Sequence, residues 1–181
     1  MGRVRVLAGA AALAVAVTLV FAATAGAHVT VHPGTAKKGA SDVLLTLAVP
    51  NEETSGATVT KLELDLPTNT PLLGVKAQTI PGWTATVTST KLAKPVTTDD
   101  GQITEAVSQV VWTANDPTAA IPQDQFGAFT IIVGTLPSNT SKVAFKAVQT
   151  YSDGNVVSWI EPVVKGSPAP EHPTPILTLT K

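Results

Sequence analysis

Histidine occurs three times in 181 residues, at His28, His32 and His172. The first follows Ala25-Gly26-Ala27, a small-x-small sequence at the end of an apolar run. Such a triplet is a signal-peptidase sequence, and cutting after it would make His28 the first residue of the mature chain. An N-terminal histidine offers two nitrogen donors, its α-amine and its ring Nδ1, which together close a chelate ring on a transition metal. The other donors are harder to combine. Along a strand, His28 and His32 would share a side but stand about 13 Å apart, so one ion cannot take both without a sharp bend. His172 lies in a proline-rich stretch and reads as a solvated residue. Glu52, after Pro50-Asn51, reads either as a solvated turn carboxylate or as an oxygen ligand. Trp159 shares a strand face with Val157 and Glu161 and reads either as a core aromatic, like Trp83 and Trp112, or as the neighbour of a site. One histidine completed by a carboxylate is the simplest metal site these residues can build. An ordinary surface histidine left by processing is the alternative.

Composition narrows the metal and the partners. There is no cysteine, and the one methionine is Met1. Disulfides, thiolate sites and lipid attachment through cysteine are therefore excluded. A blue-copper centre needs a Cys thiolate and usually an axial Met, so that reading fails, as does a thioether copper(I) site. Nitrogen and carboxylate oxygen remain, which suit copper(II), nickel or zinc, and the affinity order favours copper. Arg3 and Arg5 precede the apolar run Val6–Ala23, and together they read as a cleavable signal over residues 1–27. Setting them aside leaves 10 basic residues against 13 acidic ones, a formal charge of −3. No basic face is implied, so nucleic acid is not expected as a partner. No Ser-His-Asp arrangement and no glycine-rich phosphate loop is present.

The elements that must position these side chains read as β throughout. Residues 57–66 alternate, with Val59, Lys61, Glu63 and Asp65 on one side and Thr60, Leu62, Leu64 and Leu66 on the other, a period of two with one buried face. Other strands are expected at 29–32, 42–49, 73–78, 83–92, 105–113, 128–135, 143–151 and 156–160. Turn residues punctuate them at Asn51-Glu52-Glu53, Pro81-Gly82, Asp99-Asp100-Gly101, Asp116-Pro117, Pro137-Ser138-Asn139 and Ser152-Asp153-Gly154-Asn155. Eight or nine short strands at this spacing predict an all-β fold, a two-sheet antiparallel sandwich of cupredoxin or immunoglobulin type. Residues 166–175 carry prolines 168, 170, 173 and 175 and read as an extended tail, with 176–180 as a final edge strand. The expected organisation is thus a signal at 1–27, a sandwich at 28–165 and a tail at 166–181, without a membrane span in the mature chain.

Five short motifs together resemble the YcnI family of copper-binding domains: His28-Val29-Thr30-Val31-His32-Pro33 directly after the signal, Val49-Pro50-Asn51-Glu52, Ile80-Pro81-Gly82-Trp83, Phe126 to Phe129 leading into Ile131-Ile132-Val133-Gly134, and Asp153-Gly154-Asn155-Val156-Val157-Ser158-Trp159. The resemblance implies one copper(II) held by a monohistidine brace on a β-sandwich. His28 would give amine and ring nitrogen, and Glu52 the carboxylate, with the adjacent Glu53 as the other candidate. Trp159 would lie beside the metal, its π face near an axial position. A blocked axial position implies storage or delivery of copper rather than enzymatic oxygen activation. The implied setting is extracytoplasmic, with a membrane copper transporter or another copper chaperone as partner. An oxidative copper enzyme and a metal-free adhesion or partner-binding sandwich are the competing functions. Because the amine exists only after cleavage, the brace would form outside the cytoplasm. Binding should weaken as the pH falls, since the metal displaces protons from both nitrogens.

Overall fold

The computed structural model describes residues 28–181; the expected signal segment at 1–27 lies outside the described residues. Twelve strands follow in chain order: β1 (Thr30–His32), β2 (Thr35–Lys37), β3 (Ser41–Pro50), β4 (Val59–Asp65), β5 (Lys76–Ala77), β6 (Trp83–Thr98), β7 (Gly101–Ala114), β8 (Phe126–Thr135), β9 (Lys142–Ala144), β10 (Lys146–Tyr151), β11 (Val156–Trp159) and β12 (Ile176–Thr180). One sheet runs β1-β3-β8-β5 and a second β11-β10-β4-β7-β6; a third, smaller one runs β2-β12-β9. All pairings are antiparallel except β12 with β2. The all-β sandwich expected from the strand pattern is the observed architecture.

Alternation decides which faces meet. Leu45, Leu47 and Val49 of β3 and Phe129, Ile131 and Val133 of β8 point inward, as do Leu62 and Leu64 of β4 and Val110 and Trp112 of β7. Each fully buried Leu, Val, Ile or Phe contributes roughly 1.5–3 kcal/mol from removal of its side chain from water. The two larger sheets touch through Phe129, whose ring centroid lies 5.4 Å from that of Trp112 and 5.1 Å from that of Trp83. Trp112 is wholly buried and Trp83 half-buried, with its Nε1–H donating to the Ala119 carbonyl at 3.0 Å.

Several expectations shift in detail. Val59 is buried with Leu62, Leu64 and Leu66, not on the side of Lys61, Glu63 and Asp65. The cause is a bulge: Thr150 pairs with Lys61 and Tyr151 with Val59, so Thr60 is skipped and the inward phase changes there. Residues 83–92 and 105–113 belong to a longer hairpin reaching Thr98 and Gly101. The stretch 143–151 breaks at Phe145 into β9 and β10, and only Lys76–Ala77 of 73–78 is strand. Residues 176–180 do not form an edge: β12 is the middle strand between β2 and β9, with Leu177 and Leu179 buried.

Candidate metal centre

Three segments converge at one end of the sandwich. The first is the start of the described chain. Val29 and Val31 are buried and anchor β1, which leaves His28, Thr30 and His32 on the outer side. In the β1–β3 pair Thr30 lies opposite Ala48 and Val31 opposite Leu47. Continued by two residues, that register sets His28 beside Pro50, at the head of the loop that carries Glu52.

That loop is tied down by Asn51, which is 1 % exposed. Its Nδ2 donates to the carbonyls of Ala57 at 2.8 Å and Ile121 at 3.0 Å, and its Oδ1 accepts from the Glu53 amide at 3.0 Å. Its backbone exchanges two more bonds with Asp124 and Gln125. A buried side chain with donor and acceptor both satisfied leaves the loop little freedom. Glu52, the next residue, projects to the surface.

The third segment is the β10–β11 hairpin. Its turn closes through the Tyr151 carbonyl, which accepts from Gly154 N at 3.0 Å, with Gly154 at φ +90° and the Asp153 carboxylate accepting from Asn155 N. Such a φ favours glycine, so the Asp-Gly signal at this turn has a steric origin. Trp159 lies opposite Ala147 at the far end of the ladder and is 7 % exposed. Its indole Nε1–H donates to Gln149 Oε1, and Gln149 Nε2–H donates to the Pro50 carbonyl at 2.8 Å. Gln149, itself 0 % exposed, thereby fixes the indole and the Glu52 loop with one side chain.

His28, Glu52 and Trp159 line a single cleft of about 590 Å³ with Ala169, Pro170, Glu171 and His172. The imidazole of His28 stands edge-on to the Trp159 indole, ring centroids 5.6 Å apart and planes at 77°. Glu53 is not among the cleft residues. His32 is outside it too, its Nε2 sharing a 2.9 Å hydrogen bond with Thr30 Oγ1. His172, read from the sequence as solvated, is inside: its ring also stands edge-on to the indole, 5.1 Å from the Trp159 centroid with planes at 78°. The surroundings are acidic. Burial pushes the Tyr151 phenol up to about 12, with Glu53, Glu52 and Asp153 adding to the shift in that order. Within the cleft itself Glu52 and Glu171 supply the carboxylates, and negative charge in a cleft favours cations.

Among the described residues no group of three or more His, Cys, Asp or Glu side chains is arranged to hold a metal ion. An ion in this cleft would therefore need a donor beyond those side chains. The backbone nitrogen of His28 is one, but as a peptide amide it is a poor ligand; it becomes an amine only when the chain is cut before it. The residues present fit a metal with nitrogen and oxygen preferences, on that condition.

The model of a domain of unknown function, DUF1775, matches residues 28–179. The chain belongs to this family. The YcnI resemblance drawn from its motifs is borne out by a second match, the copper-binding protein CutI of Bacillus subtilis (strain 168), 30 % identical over 141 residues. That match takes in 78 % of this chain and 59 % of CutI, so the chain spans about three-fifths of its relative's length. The crystal structure of an uncharacterized Nocardia farcinica protein with an immunoglobulin-like fold superposes with a TM-score of 0.67 at 35 % identity, covering 85 % of this chain and 99 % of that one. The DUF1775 match runs from His28 into β12, so the family domain takes in the proline-rich stretch as well as the sandwich.

Three residues of the site escape a reading of the sequence: Asn51, Gln149 and His172. Gln149 had a usable signal, being polar at an inward position between Ala147 and Tyr151 of an alternating strand. Asn51 and His172 had none, since their neighbours in space come from other segments.

Proposed function

We propose that the domain is an extracytoplasmic copper(II)-binding protein that stores or delivers the ion, gripping it with a monohistidine brace at His28 and Glu52. The observation that carries the reading is the meeting of His28, Glu52 and Trp159 in one cleft, in a chain related to a protein named for copper binding. The amine and imidazole of His28 would form the chelate, and the Glu52 carboxylate would add charge and an oxygen donor. Nitrogen and carboxylate donors without thiolate suit the divalent ion. Trp159 has no lone pair to give. Locked by Gln149, its indole would shield a cation held there from water and offer it a π face. A walled metal has little room for oxygen, which supports carriage over oxidative catalysis. A membrane copper transporter or another copper chaperone would be the exchange partner.

The test is the first residue. Protein processed to begin at His28 should bind one equivalent of copper(II). The same protein with one glycine added before His28 should bind orders of magnitude more weakly, because the amine becomes an amide. Equal affinity of the two forms, measured by competition with a chromophoric chelator, would reject the brace. In the processed protein Glu52→Ala should change the copper(II) EPR spectrum while Glu53→Ala leaves it as it is.

A further inference from the structure

Trp159 is flanked by two imidazoles, not one. His172 meets it at 5.1 Å and 78°, His28 at 5.6 Å and 77°, and both line the cleft that holds Glu52. The placement of His172 is built. Glu161, two residues after Trp159, donates its amide to the His172 carbonyl at 3.1 Å, and its own carbonyl accepts from Thr174 N at 2.9 Å and Thr174 Oγ1 at 3.1 Å. A parallel bridge joins Glu161 to Pro173. The side chain of Glu161 then faces the imidazole: Oε1 lies 4.0 Å from His172 Nδ1, while Oε2 accepts weakly from the His172 amide at 3.4 Å. At 4.0 Å the contact is not a hydrogen bond, but a carboxylate that closes on one ring nitrogen leaves the other for an ion, the arrangement that orients metal-binding histidines. Among the described residues Nε2 of His172 has no hydrogen-bond partner.

We propose that His172 is a further ligand of the ion held at His28 and Glu52, supplied by the C-terminal strap and oriented by Glu161. This rests on the copper site proposed above. Metal–nitrogen bonds of roughly 2.0 Å require the two ring nitrogens to come within about 4 Å of each other. Rotation of the imidazole about its own side-chain bonds can supply that movement, because the anchoring bonds at Glu161 involve the backbone of 172–174 and the Thr174 hydroxyl, not the ring. The consequence is a site with two kinds of ligand: a chelate built into β1, and a second imidazole that can leave without dismantling it. A receiving protein could displace His172 first and gain access to the ion while the brace still holds.

The test uses processed protein beginning at His28, wild type and His172→Gln, each given one equivalent of copper(II). Pulsed EPR should count two coordinated imidazoles in the wild type and one in the variant. Competition titration should keep the 1:1 stoichiometry and show affinity lower by about tenfold or more in the variant. Glu161→Gln should fall between the two in affinity. The metal-free proteins should unfold at the same denaturant concentration, since the imidazole makes none of the strap's backbone bonds. A single coordinated imidazole in the wild type would overturn the assignment while leaving the brace standing, and that count does not depend on any variant folding. Identical spectra and affinities for wild type and His172→Gln would do the same. Failure of the wild type to retain copper at all would instead end the brace, and this proposal with it.

Discussion

The cleft has two walls built on different principles. One is β10, β11 and the loop after β3, where Gln149 and Asn51 are buried and every polar atom of their side chains that faces inward finds a partner. The other is the strap from 162 to 172, mostly exposed, with Val163 69 % and Val164 55 % accessible and its bonds concentrated at the Glu161 end. The first wall holds Trp159 and Glu52 where they are before any ligand arrives. The second brings His172 and Glu171 to the same cleft on an exposed segment pinned only where it meets Glu161. Rigidity on one side and exposure on the other would suit the ion carriage proposed above, since a uniformly stiff cage would hold its cargo and a uniformly loose one would not select it.

The contrast can be broken by substitution. The largest effect should come from Gln149→Leu, which keeps the volume but leaves the Trp159 N–H and the Pro50 carbonyl without their partner. Stability should fall by about 3 kcal/mol, read by urea denaturation, and Trp159 fluorescence should report a less ordered indole. A loss below about 1 kcal/mol would mean that the wall is not held from Gln149. The next effect depends on pH. Tyr151 is the chain's one tyrosine, and its phenol is raised from 10.0 to about 12. Below pH 10 the phenol is protonated both folded and unfolded. As the pH rises from 10 to 12 the unfolded chain ionises first, so stability is lost across that window, by on the order of 2 kcal/mol. Tyr151→Phe should remove this part of the alkaline decline, and parallel curves for the two proteins would refute the burial that causes the shift. The smallest effect belongs to the strap: Val163→Ser should change stability by less than about 0.5 kcal/mol. A cost as large as that of Gln149→Leu would erase the distinction between the walls.

How far the site could be read in advance differs from residue to residue. Leu62, Leu64 and Leu66 announced a buried face because alternation is a local property. Val59 broke that phase through a bulge whose partner, Tyr151, lies some ninety residues away. β2 was not foreseen because Thr35-Ala36-Lys37 has no apolar alternation and is strand only by its parallel pairing with Leu179 and its neighbours. The proline-rich stretch reads as an extended tail, but it is drawn back against β11 by the Glu161 backbone and continues into the middle strand of a sheet.

What the residue order determined by itself is the chemistry on offer: an all-β pattern, no sulfur donors in the domain, a histidine placed directly after a small-x-small triplet, and motifs sufficient to assign the family. These are local or compositional properties, and they need no partner in space to be legible. The tertiary structure decided which donors meet. It set Glu52 rather than Glu53 at the cleft, left His32 out, and carried His172 against Trp159 from a segment that looked solvated. Those outcomes depend on strand register and on hydrogen bonds between groups far apart in the chain, and such contacts exist only once the sheets have formed.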